Sequence, residues 1–385
     1  MADFPSPNVW LEIVGHRRHL HRNPEVGIEL PKTHAYVIEQ LRKLSLVPEF
    51  IEGAGVSVLI HGLKPGWRPI VFRADMDALP VTEDTELPLS SLTSGAMHAC
   101  GHDLHTAVLL GVAKDLVSRP SFRDVILVFQ PGEESHRGAV KVLEHGNLQI
   151  ETAETFAVHV NSIMPVGSIG FSRGTFMAFG DWFQVDIKGP GGHASAPERV
   201  GSPVNAGADF VLALTNLTRE LTTDEEKIVA TVTEFLCGNA VNVIPTHGSL
   251  RGTLRAVSEL RRDRLHAMMH DICGRISIEH NLEVTLTISE GYPAVVSDPD
   301  FVMEFEEVIA REGLAGMLQE MDRPSMVIED FSYFLQRWPG TMVYVGAAVG
   351  EDPAFNHSAE ALFDEDSMRT SFALFRALAP AASAN

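Results

Sequence analysis

Apolar residues recur at helical spacing from Trp10 to Leu20 and from His34 to Leu44, with Asn23-Pro24 turning the chain between them. Val56 to Ile60 reads as a strand. After Gly62 the run Ile70-Val71-Phe72 begins another, which ends in Arg73-Ala74-Asp75. A long loop follows, and then Thr106 to Ala113 presents a helical apolar face. Val125 to Phe129 is uniformly apolar, as expected of a strand covered on both faces of a sheet. The pattern changes in the middle of the chain. Asp181 to Lys188 alternates as a half-buried strand does, and Gly189 to His193 forms a glycine-rich turn. Pro203 to Thr218 predicts a helix, and so does the stretch from Arg261 to Cys273. Ile228 to Phe235, Leu250 to Val257 and Val284 to Ile288 are β-rich. After Pro293 helix and strand alternate again, through Thr341 to Val345, to a C-terminal helix from Asp364 to Leu378.

This change of pattern predicts two domains, and 385 residues exceed what one core normally supports. The simplest organisation is an insertion: residues 1–180 and 296–385 form one α/β domain, and residues 181–295 form a small α+β unit. Composition narrows the class. A net charge of -21 leaves no excess of Lys and Arg to neutralise phosphates, which argues against a nucleic-acid partner. No apolar run is long enough for a membrane span, and residues 1–15 lack the pattern of a secretory signal, so a cytoplasmic location is expected. Three cysteines suit a reducing compartment, with Cys237 and Cys273 read as packing residues.

The third cysteine carries the chemistry. His98-Ala99-Cys100-Gly101-His102-Asp103 places a thiol and an imidazole two residues apart, downstream of Asp75 and Asp77. The strand ending at Phe129 empties into Gln130-Pro131-Gly132-Glu133-Glu134. His159 follows a second apolar strand, and His357 lies in Phe355-Asn356-His357-Ser358. Donors scattered singly at strand ends describe a catalytic metal centre, whereas structural zinc sites cluster their ligands in short knuckles. Loops at the strand ends of an α/β sheet are where such folds place their chemistry.

With these blocks in view, the chain resembles the M20 metallopeptidases, specifically the aminoacylase, hippurate hydrolase and auxin-conjugate amidohydrolase branch. The resemblance runs from His19-Leu20-His21-Arg22-Asn23-Pro24-Glu25 to the C-terminus. It includes Arg73 to Pro80, Met97 to Asp103, Gln130 to Glu134, Gly191-Gly192-His193-Ala194, Asn242-Val243-Ile244-Pro245, Glu329-Asp330-Phe331 and His357. It implies a di-metal aminopeptidase-like α/β catalytic domain with an inserted α+β dimerisation or lid domain, and therefore a homodimer. Carried across, the metal ligands fall on Cys100, His102, Glu134, His159 and His357, holding two divalent ions chosen from zinc, manganese, cobalt or nickel. Glu133 matches the general base, and Asp75 and Asp77 match groups that orient ligands from behind. His193 resembles a histidine that polarises the scissile carbonyl, while Asn242 and Arg255 are candidates to bind the substrate. The implied reaction is hydrolysis of an N-acyl amino acid or a short peptide. A dipeptidase or carboxypeptidase of the same superfamily, and a non-catalytic binding protein on a peptidase scaffold, are the alternatives. Phe176, Met177, Phe179 and Trp338 are candidates for an acyl pocket. Two positions depart from the family: Gly132, where alanine is usual, is expected to loosen the acidic loop, and Leu104, where glycine is usual, to narrow the approach to the metals.

Overall fold

The computed structural model describes residues 3–380, apart from 65, 147, 149 and 224–226. They divide into two compact units, one of residues 1–174, 296–321 and 330–385, the other of residues 175–295 and 322–329.

The first unit is built on an eight-stranded sheet. Its order is Glu49–Ile51, Gly55–Ile60, Val125–Gln130, Ile70–Asp75, Glu154–Asn161, Gly340–Gly346, Ile169–Phe171 and Leu318–Glu320. The four strands from Val125–Gln130 to Gly340–Gly346 run parallel, while Gly55–Ile60 adds antiparallel at one side. Strands Ile70–Asp75, Val125–Gln130 and Gly340–Gly346 are buried at every residue, which explains their unbroken apolar runs. The helix His102–Ser118 is likewise buried over nearly its whole length and packs with helices Pro7–Arg22 and Ser367–Leu378. Leu104 belongs to this core with no exposed surface, so it fills the helix–sheet interior and does not narrow any approach to a metal.

The second unit is a four-stranded antiparallel sheet in the order Ile228–Cys237, His247–Ala256, Phe179–Lys188 and Glu283–Tyr292. Helices Pro203–Leu221 and Glu259–His280 start at Ser202 and Ser258, whose hydroxyls accept from Asn205 N and Arg261 N. Phe210, Leu214, Leu217, Leu265, Met269 and Ile276 bury the apolar face of this pair of helices with Phe183, Val185, Ile187, Leu250 and Leu254 of the sheet. Cys273 sits in the same core. Residues 322–329 join this unit because Ser325 pairs with the strand start: Ala178 N donates to Ser325 O at 2.9 Å, and Ser325 N to Phe176 O at 2.8 Å. That segment lacks apolar periodicity, which is why its sequence alone assigns it to the flanking domain. The fold is therefore an α/β catalytic domain interrupted by an inserted α+β lid domain. Among the described residues no helix is long and apolar enough to cross a membrane.

Candidate metal centre

Three of the parallel strands run out at residues that lead directly into polar segments. Asp75 is the last residue of its strand, Gln130 the last of the next, and Gly346 precedes the loop to His357. His159 lies inside Glu154–Asn161, near its end, rather than after the strand. Two glycines allow the close approaches. Gly101, at φ 86°, initiates the helix that begins with His102, and a Cβ there would lie 2.3 Å from Val160 Cγ2. Gly132, at φ 68°, turns the chain into Glu133–His136, and a Cβ would meet Ile28 Cδ1 at 2.7 Å. The expected irregular loop is therefore one helical turn. The glycine permits that turn and does not loosen it. Successive helical residues are rotated by about 100°, so Glu133 and Glu134 still point in different directions.

Around this edge two sets of three donor atoms converge within 4.8 Å: Cys100, His102 and His159, and Cys100, Glu134 and His357. A further set of His102, Glu133 and Glu134 links them. Cys100 Sγ is 3.2 Å from His357 Nε2 and 3.5 Å from His159 Nε2, and His357 Nε2 is 3.1 Å from Glu134 Oε1. The outer nitrogens are anchored: His102 Nδ1 donates to Asp77 O at 2.8 Å, and His159 Nδ1 to Val160 O at 2.8 Å. Each ring then turns its Nε2 inward, toward the donor cluster. His102 Nε2 is buried with no hydrogen-bond partner among the described residues, which for a structural histidine is a cost with nothing to offset it. For a metal ligand it is the required lone pair.

Electrostatics agree. Burial alone would raise the Cys100 thiol, but the His159 imidazole beside it, with the hydrogen-bond contacts of His159 and His357, holds it well below the ordinary thiol range. His357 is raised to about 10 by its hydrogen bonds to Cys100 and Glu134. Burial and the neighbouring thiolate push Glu134 up. Concentrated negative charge of this kind calls for cations, and the mixed sulfur, nitrogen and oxygen donors fit two divalent ones.

The supporting groups are only partly those expected. Asp77 works twice: its carbonyl holds His102, and its carboxylate accepts from Glu133 N and Glu134 N, both at 3.0 Å, capping the turn that carries the acidic pair. Asp75 does not hold a ligand histidine by its outer nitrogen. Its carboxylate accepts from His105 Nδ1 at 2.6 Å and from Arg73 Nη1 at 2.5 Å, while His105 Nε2 accepts from Val160 N at 2.9 Å. Arg73 also reaches Gln130 Oε1 at 3.0 Å and Asp330 Oδ1 at 2.9 Å, tying the strand ends together. His105 adds to the groups expected from the sequence. Its signal was the i, i+3 spacing from His102, which puts both rings on one helix face.

In the second unit, His193 and Asn242 come together on a short ribbon in which His193 pairs with Val243 and Ala194 N donates to Asn242 O at 3.1 Å. His193 is exposed, and its Nδ1 accepts from Ser195 N at 3.1 Å, so a neutral ring carries its proton on Nε2. Arg255 is not beside them. It pairs with Gly180 at the far end of the strand His247–Ala256, eight residues from His247 or roughly 27 Å along the strand. Its guanidinium turns back to Leu254 O at 2.8 Å. Phe176, Met177 and Trp338 are buried as packing residues.

A parallel sheet with paired cation sites at its strand ends defines a metal-dependent amidohydrolase or peptidase. Within that class the chain belongs to peptidase family M20, matching family M20/M25/M40 over residues 71–381. It is 31% identical over 368 residues to an N-acetyldiaminopimelate deacetylase of Lactobacillus acidophilus, covering 93% of this chain and 94% of that one. It is 33% identical over 356 residues to the deacetylase of the same name from Limosilactobacillus reuteri, covering 90% and 92%. Among solved structures, a dinuclear metal binding M20 peptidase from Bacillus subtilis superposes with a TM-score of 0.83 at 29% identity, covering 97% and 98%. A putative aminohydrolase from methicillin-resistant Staphylococcus aureus does so at 0.88 and 27%, covering 96% of each.

Proposed function

We propose that this enzyme removes a small acyl group from the amino nitrogen of an amino acid, in the manner of the N-acetyldiaminopimelate deacetylases it resembles, with aminoacylase and hippurate hydrolase activities as the nearest variants. The reaction is hydrolysis of the amide bond of an N-acyl amino acid, giving a carboxylic acid and a free amino acid. The observation that carries the reading is the pair of donor sets sharing Cys100, with the carboxylate of Glu133 next to them.

One cation would be held by Cys100, Glu134 and His357, the other by Cys100, His102 and His159, and zinc, manganese, cobalt or nickel all suit such donors. Bound there, two divalent ions supply Lewis acidity to the carbonyl and acidify water. Glu133, buried and aligned through the cap from Asp77, takes the proton of the attacking water and returns it to the departing amine. By resemblance to the family, we also propose His193 as the donor to the developing oxyanion and Asn242 as a substrate-binding group. Arg255 has its guanidinium engaged by Leu254 O of its own strand and takes no part in this proposal.

The test is release of free amino acid from N-acetyl amino acids (N-acetyldiaminopimelate included), hippurate and dipeptides, using enzyme stripped and reloaded with Zn²⁺, Mn²⁺, Co²⁺ or Ni²⁺. Fastest release from N-acetyl amino acids is the expected result. Preference for dipeptides would move the assignment to the dipeptidase branch, and no hydrolysis under any metal would sink it.

The active form is proposed to be a homodimer assembled through the inserted unit. The strand Ile228–Cys237 stands at the outside of its sheet with Phe235 and Leu236 exposed, an edge available to a second copy. Light scattering at micromolar concentration is expected to give twice the chain mass of 42.1 kDa, and a value of one chain mass would overturn the dimer.

A further inference from the structure

We propose that Asn356 is a positioning residue whose side-chain amide sets the donor geometry of both cation sets, a role that rests on the ligand assignment above. Three partners fix the orientation of the amide. Ser162 N donates to Asn356 Oδ1 at 3.0 Å, so the oxygen faces the chain beyond Glu154–Asn161. Asn356 Nδ2 donates to Val160 O at 3.1 Å, and it also lies 3.4 Å from Cys100 O and 3.9 Å from Cys100 Sγ. Because a backbone N–H can only donate and a carbonyl only accept, the reversed amide would put like groups together at both ends.

Each contact bears on a ligand. Val160 O is the acceptor that fixes the His159 ring, so Asn356 and His159 Nδ1 share one carbonyl. The Nδ2 group points an N–H at the thiolate common to both sets, and a hydrogen bond to sulfur lowers the charge it offers a cation. Asn356 also directly precedes His357, which is held at φ 75°. That left-handed conformation is unfavourable for histidine and persists only where the surroundings impose it. His357 N donates to Ala99 O at 2.8 Å, and Ser162 Oγ to Ala354 O at 2.7 Å, so the loop is pinned on both sides of the amide. One side chain thus couples His159, Cys100 and His357, residues that come from three separate parts of the chain.

The Asn356→Asp variant is diagnostic. It keeps the shape and the acceptor for Ser162 N, but turns a carboxylate oxygen toward Val160 O and the thiolate. Wild type, N356D and N356A are to be stripped and titrated with Co²⁺, following heat and the thiolate-to-cobalt absorption band, with far-UV circular dichroism of the stripped proteins to report folding. Wild type is expected to take two equivalents. Both variants should bind about 10–100-fold more weakly, the range for losing a group that orients a metal ligand. The cobalt band should shift, and N356D should be the worse because it adds repulsion. If N356A does not fold, the isosteric N356D decides alone. Wild-type affinity and an unshifted band in N356D would overturn the role of Asn356 while leaving the ligand assignment standing. Fewer than two equivalents in the wild type would overturn both.

Discussion

Glu133→Gln is expected to yield a folded enzyme that retains its metal complement and loses about 10²–10⁴-fold in kcat, the range for removing a general base and equivalent to roughly 3–5 kcal/mol of barrier. The fold should survive because the backbone contact that holds the turn is kept: Glu133 N donates to Asp77 Oδ1, and glutamine retains that bond. Glu134→Gln should behave differently. The Glu134 carboxylate faces Cys100 and His357, so a neutral amide there removes a charged donor and lowers metal occupancy. Metal content and activity of both purified variants separate the roles. A metal-depleted E133Q beside a fully loaded E134Q would reverse them.

The second large effect is expected at Cys100. Its thiolate belongs to both donor sets, so Cys100→Ala weakens both sites at once, whereas loss of His159 or His357 weakens one. Activity should fall to background, and so should the stabilisation that metal confers on the wild type. For an ion at a hundred times its Kd that stabilisation is about 2.7 kcal/mol per site. A melting experiment with and without added Zn²⁺ reads this directly. The wild type should gain several degrees and C100A almost nothing. A full gain in C100A would show that the thiol is not a shared ligand.

Glu133, Glu134 and His159 were legible as candidates because they stand at or just after apolar strands, where a parallel sheet delivers its loops to one side, whereas Cys100, His102 and His357 stand outside the strands and were assigned by resemblance. What lay behind them was not. Asp75 looks like a brace for a ligand histidine, yet its partner is His105. That pairing depends on how the helix His102–Ser118 lies across the sheet, which periodicity does not report. Asn356 reads as ordinary loop polarity, since its partners lie 194 to 256 residues away. Arg255 was correctly placed on a strand, but only the register shows it at the opposite end from the His193 ribbon. Leu104 and Gly132 illustrate a different limit. Their departures from the family pattern suggested effects on the site, whereas burial and a left-handed φ account for both locally.

The contact between Cys100 and His357 joins residues 257 positions apart. A ribosome makes the thiol, then the whole inserted unit, and only near the end the histidine that completes its set. Until the strand Gly340–Gly346 docks beside Glu154–Asn161, the growing chain has one half of its cation sites and no way to close the other. Closure across so long a separation is slow and comes late. The donor set of Cys100, His102 and His159 is thus made early in synthesis, while the set that needs His357 can close only after the strand Gly340–Gly346 has been made.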